Sequence, residues 1–122
     1  MNNTPNTVQN KVVNVGDIFL MSWGYDQTNV NFFQVTRVSP KGVFVREIGY
    51  RSAGGAGFMC QNVVAVKDSF KSSSQWCGGF QGANAELFRK LSYYNGNPCF
   101  SVRGRYSASL WDGKPTYESW YA

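Results

Sequence analysis

The sequence predicts a mainly β protein, a small bent antiparallel sheet or SH3-like barrel with at most one short helix. Three observations carry this expectation. Short runs of β-branched and aromatic residues recur along the chain, turns rich in Gly, Pro, Asn and Asp separate them, and no long stripe of helical period interrupts them. Closure or strong bending is expected because it removes exposed edges that pair between chains. At 122 residues a single domain is expected. It is placed at residues 15–122, behind a flexible polar arm over residues 1–14.

The arm is dominated by Thr, Asn and Pro, and beyond Met1 only Val8, Val12 and Val13 are apolar. Val15-Gly16-Asp17 turns into a run of strand formers, Ile18 to Trp23. The polar loop Gly24-Tyr25-Asp26-Gln27-Thr28-Asn29 leads to a second strand, Val30 to Val38. There Phe33, Val35 and Arg37 alternate with Phe32, Gln34, Thr36 and Val38. Ser39-Pro40-Lys41-Gly42 is a tight turn, with Pro presetting φ and Gly free to take a positive value. The third strand, Val43 to Ile48, sets Val43, Val45 and Glu47 opposite Phe44, Arg46 and Ile48.

Beyond it the pattern weakens. Gly49 to Gly57 carries four glycines and reads as irregular. Val63 to Val66 reads as a short fourth strand, and Asp68 to Gly82, rich in Ser, Gly and Gln, as a long loop. Glu86 to Tyr94 fits a helix through Leu87, Phe88 and Leu91, or a strand. The Asn95-Gly96-Asn97-Pro98 turn and the run Cys99 to Val102 favour a hairpin and therefore the strand. Arg103 to Leu110 continues extended, Trp111-Asp112-Gly113-Lys114-Pro115 is a turn, and Thr116 to Tyr121 docks as an edge strand.

Aromatic residues make up 16% of the chain. A few large rings fill a small core, and the same residue types stack on bases and anchor interfaces. Twelve Lys and Arg stand against seven Asp and Glu. The excess lies in the middle: between Thr28 and Arg105 ten basic residues face only Glu47, Asp68 and Glu86. Such a balance suits nucleic acid, a nucleotide or an acidic protein face, and it also serves solubility.

The chain has no His, which removes the commonest acid–base residue and metal ligand. Cys60, Cys77 and Cys99 form no CxxC pair and have no His to complete a zinc site. Reduced, buried thiols are the expected state, with one disulfide plus a free thiol as the alternative. No Cys or Ser has a His to activate it, so no enzyme, metal or cofactor is expected. A metal-dependent enzyme requires Asp17, Asp26 and Asp112 to converge, whereas turn aspartates ordinarily bond their own backbone. Gly54-Gly55-Ala56-Gly57 and Gly78-Gly79-Phe80-Gln81-Gly82 lack the Gly-Lys-Ser/Thr of a phosphate loop and read as flexible loops. No apolar run approaches the ~20 residues of a membrane span, and the N-terminus lacks a signal-peptide pattern; a cytoplasmic location is expected.

Basic and aromatic residues interleave at Phe44-Val45-Arg46, Tyr50-Arg51, Phe88-Arg89-Lys90 and Phe100-Ser101-Val102-Arg103-Gly104-Arg105-Tyr106. Arginine offers a fork for phosphate, and a neighbouring ring stacks on a base. Arg46, Arg51, Arg89, Arg103 and Arg105 are therefore candidate binding residues. A solvated outer sheet face with inward aromatics produces the same alternation. The loop residues Tyr25, Asp26, Gln27, Thr28 and Asn29 join the candidates, because polar loops on a rigid scaffold carry function and these side chains match base edges or peptide backbone.

Ser22-Trp23-Gly24-Tyr25-Asp26-Gln27-Thr28-Asn29, followed by an aromatic strand, and Trp111-Asp112-Gly113-Lys114-Pro115, followed by the aromatic tail Ser119 to Ala122, resemble a family of small uncharacterised proteins carried by bacteriophages and other mobile elements. The segment from Gly49 to Gly82 fits that family poorly. The resemblance implies an accessory role in an infected cell and adds Trp111 to the candidate binding residues. The leading expectation is a non-catalytic protein that binds and inhibits a host defence or nucleic-acid-processing complex, in the manner of an anti-CRISPR, its partner a host protein or ribonucleoprotein. The alternative is a protein that binds nucleic acid or a nucleotide signal directly.

Overall fold

The computed structural model describes residues 9–24, 26–72, 74, 76–77 and 86–120. Among them nine strands form one antiparallel sheet and no helix occurs. The strands are β1 (Ile18–Trp23), β2 (Asn29–Ser39), β3 (Gly42–Gly57), β4 (Cys60–Phe70), β5 (Glu86–Arg89), β6 (Ser92–Tyr94), β7 (Asn97–Arg103), β8 (Tyr106–Leu110) and β9 (Thr116–Ser119). Their order is β6-β7-β8-β1-β2-β3-β4-β9, with β5 paired to β3. The fold is thus mainly β, and it takes the bent-sheet form, curled into a half-barrel. The segment that fits either helix or strand is extended, as β5 and β6.

The central strands bury both faces. Successive strand residues point to opposite sides, so Phe19 and Met21 of β1 enter one core while Ile18 and Leu20 enter another. Likewise Phe33 and Val35 of β2 join the first core, and Val30 and Phe32 the second. This explains why Ile18 to Trp23 reads as a nearly continuous apolar run rather than an alternating one. The first core is completed by Val43 and Val45 of β3 and by Phe100, Val102 and Ala108 of β7 and β8. Ile48, Val63 and the half-buried Tyr50, Ala65 and Trp111 complete the second.

Two contacts hold the curl. Arg89 of β5 donates from Nε to the Ser101 carbonyl (2.9 Å) and from Nη2 to the Val102 carbonyl (3.0 Å) of β7. At the other end of the sheet, the Ser119 amide of β9 donates to the Thr28 carbonyl (3.0 Å), and the Thr28 amide donates to Ser119 Oγ (2.9 Å). The β2–β3 turn requires glycine for a packing reason: a Cβ at Gly42 falls 2.3 Å from the Arg89 carbonyl oxygen. N-terminal to β1, the Lys11 amide donates to the Gly96 carbonyl (2.9 Å) and Val13 is buried in the first core.

The glycine-rich stretch Gly49 to Gly57 is strand rather than loop: it continues β3, and its irregularity lies in repeated register shifts against β4. The ladder runs on because main-chain bonds need no side chain, while the glycines admit the local bends. β4 correspondingly extends from Cys60 to Phe70, well beyond Val63 to Val66. Its largest register shift lies opposite Ile48–Tyr50, where Asp68 takes φ 66°. The shift brings Asp68 to the buried Gln34 of β2 in a reciprocal pair: Gln34 Nε2 donates to Asp68 Oδ1, and the Asp68 amide donates to Gln34 Oε1, both at 2.7 Å. A buried amide side chain is thereby satisfied.

Candidate functional site

At one end of the molecule the last residue of β1, the β7–β8 hairpin and Trp76 meet. Trp23, Trp76 and Tyr106 form a triangle of rings, each pair with centroids 5.6 Å apart and tilted by 66–70°. Edge-on contacts of this kind are the favoured aromatic geometry. The hairpin turns at Gly104 with φ 55°. Its two flanking arginines lie on the rings: Arg103 is 5.0 Å from the centroid of Trp76, and Arg105 is 5.5 Å from that of Tyr106. Both are within cation–π range. Beside them opens a cleft of about 590 Å³ lined by Ser22, Trp23, Gly24, Arg105 and Tyr106.

A buried polar chain supports this end. Trp23 Nε1 donates to Asn31 Oδ1 (2.7 Å), and Asn31 Nδ2 donates to Glu47 Oε2 (2.8 Å). Glu47 is only 4% exposed. It also receives Lys71 Nζ at Oε2 (3.0 Å) and Ser74 Oγ–H at Oε1 (2.5 Å). Ser74 Oγ in turn accepts the amides of Trp76 and Cys77, each at 3.1 Å. A carboxylate taken out of water is costly without such partners. Glu47 thereby ties Lys71, Ser74, Trp76 and Cys77 to β3 and fixes the ring beneath Arg103. The Trp76 indole N–H finds no acceptor among the described residues. Burial, and secondarily the Glu47 charge, push the Cys77 thiol up to about 11, which keeps it protonated and unreactive. Cys60 and Cys99 are free as well.

The remaining candidates separate. Arg89 is engaged on the β7 backbone, one strand position from Arg103. Arg51 is exposed on the far half of β3 and bonded to the neighbouring Ser52 carbonyl. Arg46 lies on the opposite face of the sheet from the first core, its guanidinium 4.7 Å from the Phe70 ring centroid. The loop after β1 is largely sewn to the chain itself. Gln27 Nε2 donates to Asn29 Oδ1 (2.9 Å), Thr28 is bonded to Ser119 through both main-chain groups, and Asp26 is exposed. Gly24 is required here: at φ 128° a Cβ falls 2.1 Å from the Gln27 carbonyl oxygen. Tyr25 lies outside the described residues, as does the stretch Gly78 to Gly82. Trp111 packs edge-on to Phe32 (5.2 Å) and donates from Nε1 to the Lys114 carbonyl (3.0 Å) and Thr116 Oγ1 (3.2 Å), pinning the turn rather than facing outward.

Asp17 and Asp112 serve turns. Asp17 Oδ2 accepts the Asn14 amide (2.8 Å), and Asp112 Oδ1 accepts the Lys114 amide (2.9 Å). Among the described residues no three of the Cys, Asp and Glu side chains gather closely enough to hold a metal ion, and no helix is long and apolar enough to cross a membrane.

A second basic and aromatic surface lies across β2, β3 and β5, and the sequence pattern reveals only part of it. Phe44-Val45-Arg46 and Phe88-Arg89 stand out as interleaved runs, but Arg37 and Phe70 do not. The β2–β3 register shifts between Val35 and Arg37. That bulge brings Arg37 opposite Phe44, with its guanidinium 3.8 Å from the ring centroid. Only the bulge puts Arg37 on this face, and nothing in the alternation of β2 announces it.

No protein-family model matches this chain, and neither a curated protein nor a solved structure matches it.

Proposed function

We propose that the chain is a non-catalytic accessory protein of a bacteriophage or mobile element. It acts in the host cytoplasm by stoichiometric binding to a defence or nucleic-acid-processing complex, with the hairpin-tip end as its contact. The observation that carries this reading is the pairing of Arg105 with Tyr106 and Trp23 at the rim of an open cleft. Aromatic and arginine side chains are the residue types that dominate binding energy when their surroundings hold them rigid. The Glu47 network supplies that rigidity, so little ordering cost remains to be met on binding. The Trp23 and Trp111 motifs support the mobile-element setting through their resemblance to phage-borne proteins.

Affinity capture tests the reading. The tagged chain is incubated with nuclease-treated lysate of a susceptible host, and retained material is compared with that on an unrelated basic domain. A host complex retained in fixed ratio to the bait is the expected result. Nothing above the control overturns it.

A further inference from the structure

We propose that the outer face of β2, β3 and β5 is a stacking platform for single-stranded nucleic acid, separate from the hairpin-tip end and independent of the function argued for that end. Arg37, Phe44 and Phe88 occupy directly opposed positions on three adjacent strands, where facing side chains touch. The Phe44 and Phe88 rings have centroids 4.9 Å apart and are tilted by 52°. One neighbour of Phe44 is thus the Arg37 guanidinium and another is Phe88. Along the same face Arg46 lies over Phe70 and donates from Nη2 to the Lys71 carbonyl (3.3 Å).

The rings are not sealed. Phe88 is 36% exposed and Phe70 37%, while the Arg37 side chain is 61% exposed. Two large rings left open beside guanidinium groups match a ligand that offers flat π surfaces and anionic charge together. A single-stranded polynucleotide does so, because its unpaired bases stack on rings while its phosphates meet arginine. A duplex keeps its bases inside and offers only the phosphates.

The charge balance agrees. Lys41 and Lys90, both exposed, flank the turn at one end of this face, near Gly42 and Arg89. With Arg37 and Arg46 they face one acidic residue, Glu86. Glu86 works within the platform. Its Oε1 accepts from Arg37 Nη2 (2.9 Å), and its Oε2 accepts from Thr36 Oγ–H (2.5 Å). That bridge holds the guanidinium over Phe44 and leaves its outer edge toward solvent.

Fluorescence anisotropy with labelled oligothymidylate, oligouridylate and a mixed-sequence duplex, over a range of salt, tests the platform. Both single strands are expected to bind more tightly than the duplex, and the two probes distinguish DNA from RNA as the preferred strand. Phe88→Ala is expected to weaken binding about tenfold or more, while Phe88→Trp retains it. Arg37→Gln is expected to lower the salt slope by about one. Arg105→Glu, at the other surface, is expected to leave single-strand binding in place at moderate salt. Circular dichroism checks each fold, and Arg37→Gln with Phe88→Trp decides the matter if Phe88→Ala does not fold. Absence of binding at low salt, preference for the duplex, or loss on Arg105→Glu with retention on Phe88→Ala overturns the proposal. Failure of lysate capture leaves this result untouched, so the two readings fail separately.

Discussion

The hairpin-tip end and the β2–β3–β5 face both lay arginine on aromatic rings, yet they are built in different ways. The tip gathers residues from three distant parts of the chain and rests on one buried carboxylate, Glu47. The face is assembled by cross-strand pairing and braced by a partly exposed carboxylate, Glu86, on its surface. A surface of the first kind fails as a unit when its hub is removed. One of the second kind loses contacts one at a time.

The sharpest way to break this contrast is at the hub. Glu47→Ala leaves Asn31 Nδ2 and Ser74 Oγ without their acceptor and opens a void. It is expected to destabilise the fold by roughly 2–4 kcal/mol in urea denaturation. The top of the range for a buried pair is not reached because Lys71, 42% exposed, recovers water. Tryptophan fluorescence should change with it, since Trp23 and Trp76 lose their anchors. An unchanged midpoint and spectrum would refute the hub.

A smaller effect is expected where the two surfaces meet. Arg89 joins β5, which belongs to the face, to β7, which leads to the tip. Arg89→Ala removes two bonds from a charged donor to β7 carbonyls and a third, local one to the Phe88 carbonyl, and is expected to cost about 1–2 kcal/mol. Amide exchange should rise in β5 and β7 but not in β4 or β9. Uniform protection loss across the sheet would mean that Arg89 does not specifically hold the curl.

The smallest effect belongs to Glu86. At neutral pH Glu86→Gln is expected to cost under ~1 kcal/mol, because an ion pair with a largely exposed Arg37 is screened. Its acid dependence has a definite sign. The Arg37 hydrogen bond holds the Glu86 carboxyl below its ordinary value, against a smaller opposing effect of burial. The folded state therefore binds this proton less readily than the unfolded chain. The contribution is present above the unfolded value near 4.5 and is lost as pH falls through the depressed folded value. Thermal unfolding from neutral to acid should show wild type losing its small advantage over Glu86→Gln. A growing advantage in acid would reverse the assignment.

Much of the fold is legible in the sequence because strands announce themselves locally. Ile18 to Trp23 and the turn at Pro40–Lys41 fall where a run of strand formers and turn chemistry put them. The glycines of β3 mislead because propensity reports side-chain packing, whereas the β3–β4 ladder is held by main-chain bonds. The site is less legible. Arg103, Arg105 and Tyr106 stand together in sequence, but Trp23, Glu47 and Trp76 join them only through the curl of the sheet. Glu47 shows as a charge alternating with Val43 and Val45 on the inward face. A carboxylate at a core position is the one signal in the sequence that marks a buried network, because such a group is almost never fully buried unless paired. In the loop Gln27 to Asn29, polar richness points outward, while the structure spends Thr28 and Asn29 on closing the chain upon itself.

The most direct test of the binding account is capture from nuclease-treated host lysate by wild type and Arg105→Glu in parallel, with matched thermal stability of the two baits. The account predicts that wild type retains a host complex in fixed stoichiometry and that Arg105→Glu loses it. Equal retention by both baits, or nothing retained by either, would contradict it.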